Sequence, residues 1–322
     1  MAALSTYLKI ALLGTMLLAV PARADDPSAE RGRYIFDAGG CLACHTDEKA
    51  GVTPLAGGPP LTTPFGTFYA PNITPDPTAG IGRWSAEQFR KAMRDGVGPQ
   101  GQHYYPVFPY PTYTKMAERD LNDLWAFLKT ISPAAVPSRE HDVGFPFSLR
   151  LVLLPWKWLN FSPGEWKPDP GQDSRIGRGA YLVEALTHCG ECHSPRTALG
   201  AVDRGHWLAG ARIGATQAAA PNLTPDASGL AEWSTSDIVF ALETGSTPEG
   251  GSFDGDMREV VKNSTSRLTK EDREAIAAYL KSLPALPSAV PPRAAPSDGK
   301  YRRIGNNEPS AVLLEESHTV PP

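Results

Sequence analysis

The sequence predicts a mainly α-helical, loop-rich protein built from two tandem copies of one small helical unit. Three observations carry that expectation. The segment Ala70-Pro71-Asn72-Ile73-Thr74-Pro75-Asp76 recurs as Ala220-Pro221-Asn222-Leu223-Thr224-Pro225-Asp226. The pentad Cys41-Leu42-Ala43-Cys44-His45 recurs as Cys189-Gly190-Glu191-Cys192-His193. Self-similarity at a fixed offset marks a repeated supersecondary unit. Finally, 30 glycines and 32 prolines in 322 residues exceed the share of about 12% in average proteins and call for much loop. Hydrophobic residues at 41% suffice for packed cores, and a formal net charge of −4 excludes a broad basic surface for nucleic acid.

Residues 1–24 contain no acidic side chain. Lys9 precedes the apolar run Ile10–Val20, and Ala22-Arg23-Ala24 offers a small-x-small cleavage site. This pattern predicts a secretory signal peptide and export to an oxidising compartment, the bacterial periplasm. An uncleaved membrane anchor is the rival reading, but the apolar run is short against the roughly 20 residues a span needs.

The first unit follows over 25–132 and the second over 174–284. Each opens with a helical segment carrying glycine and tyrosine: Gly32 and Tyr34, then Gly179 and Tyr181. After each pentad and each proline-rich heptad, Trp84-Ser85 is matched by Trp233-Ser234, and Phe89–Gly96 by Ile238–Gly245. Amphipathic helices close the units, Asp120–Thr130 in the first and Lys270–Ser282 in the second. Thr269 and Asp272 form a capping arrangement at the start of the latter. Between the units, 133–173 is an aromatic, proline-rich linker, and 285–322 reads as a proline-rich extended tail. Within the linker, Arg150, Pro155 and Lys157 interrupt the apolar stretch Gly144–Phe161, so it is no transmembrane helix. Three readings of it stay open: peripheral contact with a membrane interface, docking of a partner, or burial between the two units.

Both pentads are C-x-x-C-H, the attachment signature of c-type haem. Two thiols three residues apart on a helical turn share one face and can each bond a haem vinyl group. The adjacent histidine then offers its imidazole to the iron. A redox disulfide or a four-thiolate zinc site are the alternatives. Neither requires a histidine after each pair, and zinc would have to join pentads 148 positions apart. The expectation is two covalently bound haem c groups. Cys41, Cys44, Cys189 and Cys192 are the anchors, and His45 and His193 the proximal ligands. Asn72, Thr74, Asn222 and Thr224 either hydrogen-bond haem propionates or form turns.

The distal ligands are less symmetric. Met257 lies twelve residues after Gly245, in an expected loop before the terminal helix, and is the candidate for the second haem. The same count from Gly96 reaches Phe108, which cannot ligate iron. Met93 aligns with Leu242 inside a helix and reads as core. Met116, aligned with Leu268 at a helix start, is the candidate for the first haem, with His103 behind it and an open site as the third reading.

Taken together, the motifs resemble the cytochrome c subunits of periplasmic alcohol, aldehyde, gluconate and fructose dehydrogenase complexes. Beyond the pentads and heptads, Tyr105–Pro111 and His188–Arg196 carry the resemblance, which runs to about residue 284. It implies two class I cytochrome c-like haem domains that relay electrons from a dehydrogenase catalytic subunit to quinone or another cytochrome. The sequence departs from that pattern twice: many members carry a third pentad, and some place methionine where Phe108 stands. A rival reading is a redox enzyme with an open or labile first haem site, similar to thiosulfate dehydrogenases or peroxidases. A third is a haem-bearing subunit for assembly or membrane docking.

Overall fold

The computed structural model describes residues 26–214 and 218–290. The expected signal peptide lies outside the described residues, as does the tail from 291 onward.

Helix α1 (Pro27–Ala38) starts on Asp26, whose carboxylate accepts from the Ser28 N–H, with Pro27 in the first turn. The first pentad forms α2 (Cys41–His45). A hairpin of β1 (Pro60–Thr63) and β2 (Gly66–Tyr69) follows, with Pro60 opposite Tyr69. Helix α3 (Ala86–Asp95) is fixed at both ends: Ser85 and Gln88 make a reciprocal capping box, and Gly96 ends it at φ +59°. A single turn, α4 (Tyr110–Tyr113), leads into α5 (Glu118–Leu128). The closing helix thus begins two residues before the expected Asp120.

The linker contributes α6 (Leu153–Asn160). The second half then repeats the plan. Helix α7 (Ser174–Tyr181) continues as a π-helical turn over Leu182–Leu186, and the second pentad ends in α8 (Gly190–His193). The hairpin of β3 (Ala211–Ile213) and β4 (Ala218–Ala220) precedes α9 (Thr235–Thr244), capped by Ser234 with Asp237 and ended by Gly245. Helices α10 (Gly255–Asn263) and α11 (Lys270–Ser282) close the half, the latter over the expected residues.

In each half the first and last helices cross where the sequence carries glycine. A Cβ on Gly32 of α1 would lie 1.8 Å from the Asp123 carbonyl oxygen of α5, and one on Gly179 of α7 would lie 1.9 Å from that of Ala275 in α11. Only glycine allows backbones so close. Beside each crossing an arginine grips an aspartate through two nitrogens: Arg31 to Asp123 at 2.7 and 3.0 Å, Arg178 to Asp272 at 2.8 and 2.7 Å.

One continuous core joins the halves. Ile35, Leu121 and Leu124 belong to the same buried cluster as Leu182, Leu186 and Ile276. At its edge two tyrosines are exchanged. The Tyr34 hydroxyl donates to Asp272 Oδ2 at 2.5 Å and accepts from the Thr269 N–H at 3.2 Å. The Tyr181 hydroxyl donates to Asp120 Oδ2 at 2.5 Å and accepts from the Ala117 N–H at 3.0 Å. Each tyrosine therefore satisfies the N-terminal end of the other half's closing helix. The Thr269 hydroxyl accepts from the Asp272 N–H as expected, but the return bond of a capping box is supplied by Tyr34 from across the interface.

The Gly144–Phe161 segment is only partly buried. Leu153 packs with Phe68 and Tyr105 in a satellite core. Arg150 turns inward to the His103 carbonyl at 2.7 Å, and Lys157 to the Gly96 carbonyl at 2.9 Å. Phe145 and Trp158 are 82% and 83% exposed, with Leu151 beside them at 76%. Leu153 is thus buried against the first unit, and the stretch as a whole is not buried between the two. Among the described residues no helix is long and apolar enough to cross a membrane.

Candidate haem sites

Each pentad histidine is held by the heptad that recurs after it. His45 Nδ1 lies 2.7 Å from the Pro71 carbonyl oxygen, and His193 Nδ1 lies 2.8 Å from that of Pro221. A carbonyl can only accept, so Nδ1 carries the proton and the lone pair of Nε2 is left for a metal. Burial pulls both imidazoles below their ordinary pKa and keeps them neutral. The sequence spacing brought the histidines forward as ligands. It did not reveal that the second residue of each heptad orients them.

A further pair of loop residues escaped the sequence reading. Leu55 and Leu208 are buried, and both adopt the left-handed conformation, at φ +65° and +59°. Their N–H groups donate to Thr46 Oγ1 at 3.0 Å and Ser194 Oγ at 2.9 Å, directly after the pentad histidines. Their carbonyls accept from Ile73 and Leu223 at 2.9 and 2.8 Å. Two residues on, Gly57 and Gly210 donate to the carbonyls of His45 and His193 at 3.0 and 2.8 Å. Strain at a non-glycine residue persists only where the surroundings over-determine it, and here three bonds do so in both halves. The available signal was the short repeat Leu-Ala-Gly. It sits ten residues after His45 but fifteen after His193, which hid it.

The asparagines and threonines of the heptads form turns. Asn72 Nδ2 donates to the carbonyls of Ala134 and Val136 at 2.8 and 2.9 Å, while its Oδ1 accepts from Thr74 N–H and Oγ1. Asn222 Nδ2 donates to Leu286 at 2.7 Å, and Thr224 Oγ1 to the same carbonyl at 3.0 Å. These buried polar groups are engaged with the chain beyond each closing helix.

All four thiols are unpaired. Burial raises the pKa of all four, Cys41 and Cys192 to about 12. Among the described residues no group of three or more His, Cys, Asp or Glu gathers as a metal cluster, which removes the four-thiolate zinc reading.

In the first half, Ile35, Cys41, Met93, Tyr113, Met116 and Leu186 are among the residues lining a small apolar cavity. Met116 is 1% exposed, and its carbonyl is fixed by Arg94 Nη2 at 3.0 Å. The structure thus brings Met116 and Met93 to the cavity that Cys41 borders. His103 is elsewhere, bridged to Val97 at a hairpin. Phe108 packs among the rings of Tyr104, Tyr110 and Tyr113. The bonds Tyr104 N–H to Gly96 and Phe253 N–H to Gly245, at 2.9 and 2.7 Å, keep the halves in register to that point; beyond it Phe108 lies in the turn before α4 and Met257 inside α10.

Met257 is half-buried and lies in α10, not in the expected loop. The stretch after Gly255 contains neither glycine nor proline, and Val261 is buried on its inner face. That apolar spacing sustains a helix from Gly255 onward. The residues at each pentad fit a haem c, with two thiols beside a histidine whose Nε2 is free, and the first pentad adds an apolar wall that carries two thioethers.

Comparison with known proteins gives the same picture. The family described as Cytochrome c matches twice, over residues 29–132 and 176–284. A diheme cytochrome c-type protein of Cereibacter sphaeroides is 46% identical over 261 residues, covering 80% of this chain and 86% of its own. The fructose dehydrogenase cytochrome subunit of Gluconobacter japonicus is 41% identical over 270 residues, covering 82% of this chain and 54% of its own. The cytochrome c subunit of a quinone alcohol dehydrogenase from Gluconacetobacter polyoxogenes is 39% identical over 299 residues, covering 90% and 61%. This chain therefore spans somewhat more than half the length of those two subunits.

Proposed function

Because this chain belongs to the cytochrome c family and carries two such domains in tandem, we propose that it is a periplasmic dihaem cytochrome c. In this reading it passes electrons from the catalytic subunit of a partner dehydrogenase to quinone or a downstream cytochrome. Cys41 and Cys44 hold one haem and Cys189 and Cys192 the other. His45 and His193 bind the irons through Nε2, with Met116 and Met257 as distal ligands. The haem iron supplies the one-electron chemistry, and the chain's part is to bind, orient and seal it. Export depends on residues 1–24. The relatives named as dehydrogenase subunits support the partner assignment.

The observation that carries this reading is the duplicated histidine–proline carbonyl bond. It sets the same tautomer at both pentads and leaves Nε2 of each imidazole free for a metal.

The test is a haem count and a carbon monoxide titration of the reduced protein. Two haems per chain are expected, with one lost in the Cys41→Ala/Cys44→Ala variant. The wild type should bind no carbon monoxide stoichiometrically. Met116→Leu should admit one equivalent and lower one midpoint potential, since a thioether ligand raises it. Stoichiometric binding by the wild type would overturn six-coordination of the first haem and favour the open-site enzyme.

A further inference from the structure

The residue immediately before each pentad is left-handed: Gly40 at φ +59° before Cys41, and His188 at φ +43° before Cys189. Glycine takes this conformation without strain, whereas a histidine there works against its own Cβ. What holds the histidine lies in the other half. Its Nε2–H donates to the Gly39 carbonyl at 3.1 Å, two residues before Cys41. Its ring stands edge-on to Tyr113 at 5.9 Å, and Tyr113 lines the first cavity together with Cys41. Neighbouring bonds hold the same junction closed. Thr112 Oγ1 donates to Glu191 Oε1 at 2.6 Å, Ser264 Oγ to the Ala38 carbonyl at 2.8 Å, and Arg267 to Asp37 at 2.9 Å.

We propose that His188 is the bridge for electron exchange between the two haem-attachment segments. The proposal rests on the reading that each pentad carries haem c. The path runs from Cys41 through Gly40 to the Gly39 carbonyl, across one hydrogen bond to the His188 imidazole, and into Cys189. Covalent bonds and a hydrogen bond couple two redox centres better than an equal gap of space. The step moves one electron, supplied by the partner dehydrogenase. One iron goes from ferrous to ferric, the other from ferric to ferrous, and no proton or bond changes. His188 acts as a positioning residue, and its strained backbone is retained for the contact its side chain makes.

His188→Gly tests this on the holoprotein, because it installs the residue that the first half already uses at the equivalent place. Two haems per chain and unchanged midpoint potentials show that the pockets are intact; a wild type lacking two haems would refute the functional reading instead. Pulse radiolysis then follows redistribution of one electron between the haems, and circular dichroism in the Soret band reports their mutual geometry. The expected result is a bisignate couplet in wild type, the same couplet in His188→Gly, and several-fold slower redistribution in the variant. Redistribution at the wild-type rate overturns the bridge. So does a couplet that collapses with the rate, since His188 would then merely hold the halves together. Should the variant fail to mature, the wild type still decides: two haems without a couplet would overturn the proposal.

Discussion

At Gly32 and Gly179, one hydrogen atom in place of a methyl group lets two helices touch. With a Cβ brought within 1.8 and 1.9 Å of a carbonyl oxygen, Gly32→Ala and Gly179→Ala must each push a helix pair apart. Overpacking of this kind costs about 1–3 kcal/mol. Thermal unfolding of the holoprotein should show the loss in either half, and an alanine variant as stable as wild type would contradict the crossing. The same residue scale shows what a sequence hides. The pentads announce their chemistry because the ligands are neighbours in the chain. The partner that orients His45 lies 26 residues away, and no spacing rule points to a main-chain carbonyl. An asparagine in a turn also reads alike whether its amide meets a ligand or, as Asn222 does, a carbonyl 64 residues on.

Among the elements, α3 and α9 were set by local signals: a serine three residues ahead of a polar partner, and a glycine at the far end. Ser85→Ala and Ser234→Ala should each cost about 1 kcal/mol, the usual worth of an N-cap side chain. Denaturant titration should find that loss with both midpoint potentials unchanged. Helix α11 was legible for the same reason, since its N-cap side chain, Thr269, and its apolar stripe are contiguous in sequence, although the Thr269 N–H is met by Tyr34. Helix α10 carries a short apolar spacing of its own at Met257, Val260 and Val261, and the chain just beyond it is fixed from outside, where Ser264 and Arg267 bond Ala38 and Asp37 of the first half. Packing routinely outweighs local pattern in short helices. The early start of α5 has a like cause, as the Ala117 N–H is satisfied by Tyr181 from the other half rather than by a cap of its own.

For the whole molecule, the exchanged tyrosines make the halves interdependent. Tyr34→Phe removes a bond to a carboxylate, worth about 1.5–3 kcal/mol, and should lower the unfolding midpoint of the whole chain in one transition. Acid should act on the same junction. Burial pushes the Asp272 carboxyl up, but its bonds to Arg178 and Tyr34 prevail and hold it below its ordinary value. Glu184, also pushed up by burial, is drawn down by Lys115 and Tyr279. Stability from such lowered carboxylates is present in full above their unfolded values of about 4 and is lost as pH falls through the lower folded ones. Wild type should therefore lose thermal stability on acidification over that range, and Asp272→Asn should be less stable at neutral pH with a flatter acid limb; parallel curves would refute the assignment. The asparagine hooks have a practical meaning as well. Asn72 grips the chain at Ala134 and Val136, and its N–H reaches Ser138. Asn222 grips Leu286, and Ala289 bonds back to Ala209. A fragment cut where the closing helix ends, at Leu128 or Ser282, keeps every helix yet strands buried amides. A graft carried through Ser138 or Val290 takes its own fastening along, so the place to splice such a module lies in plain coil, several residues past the last helical turn.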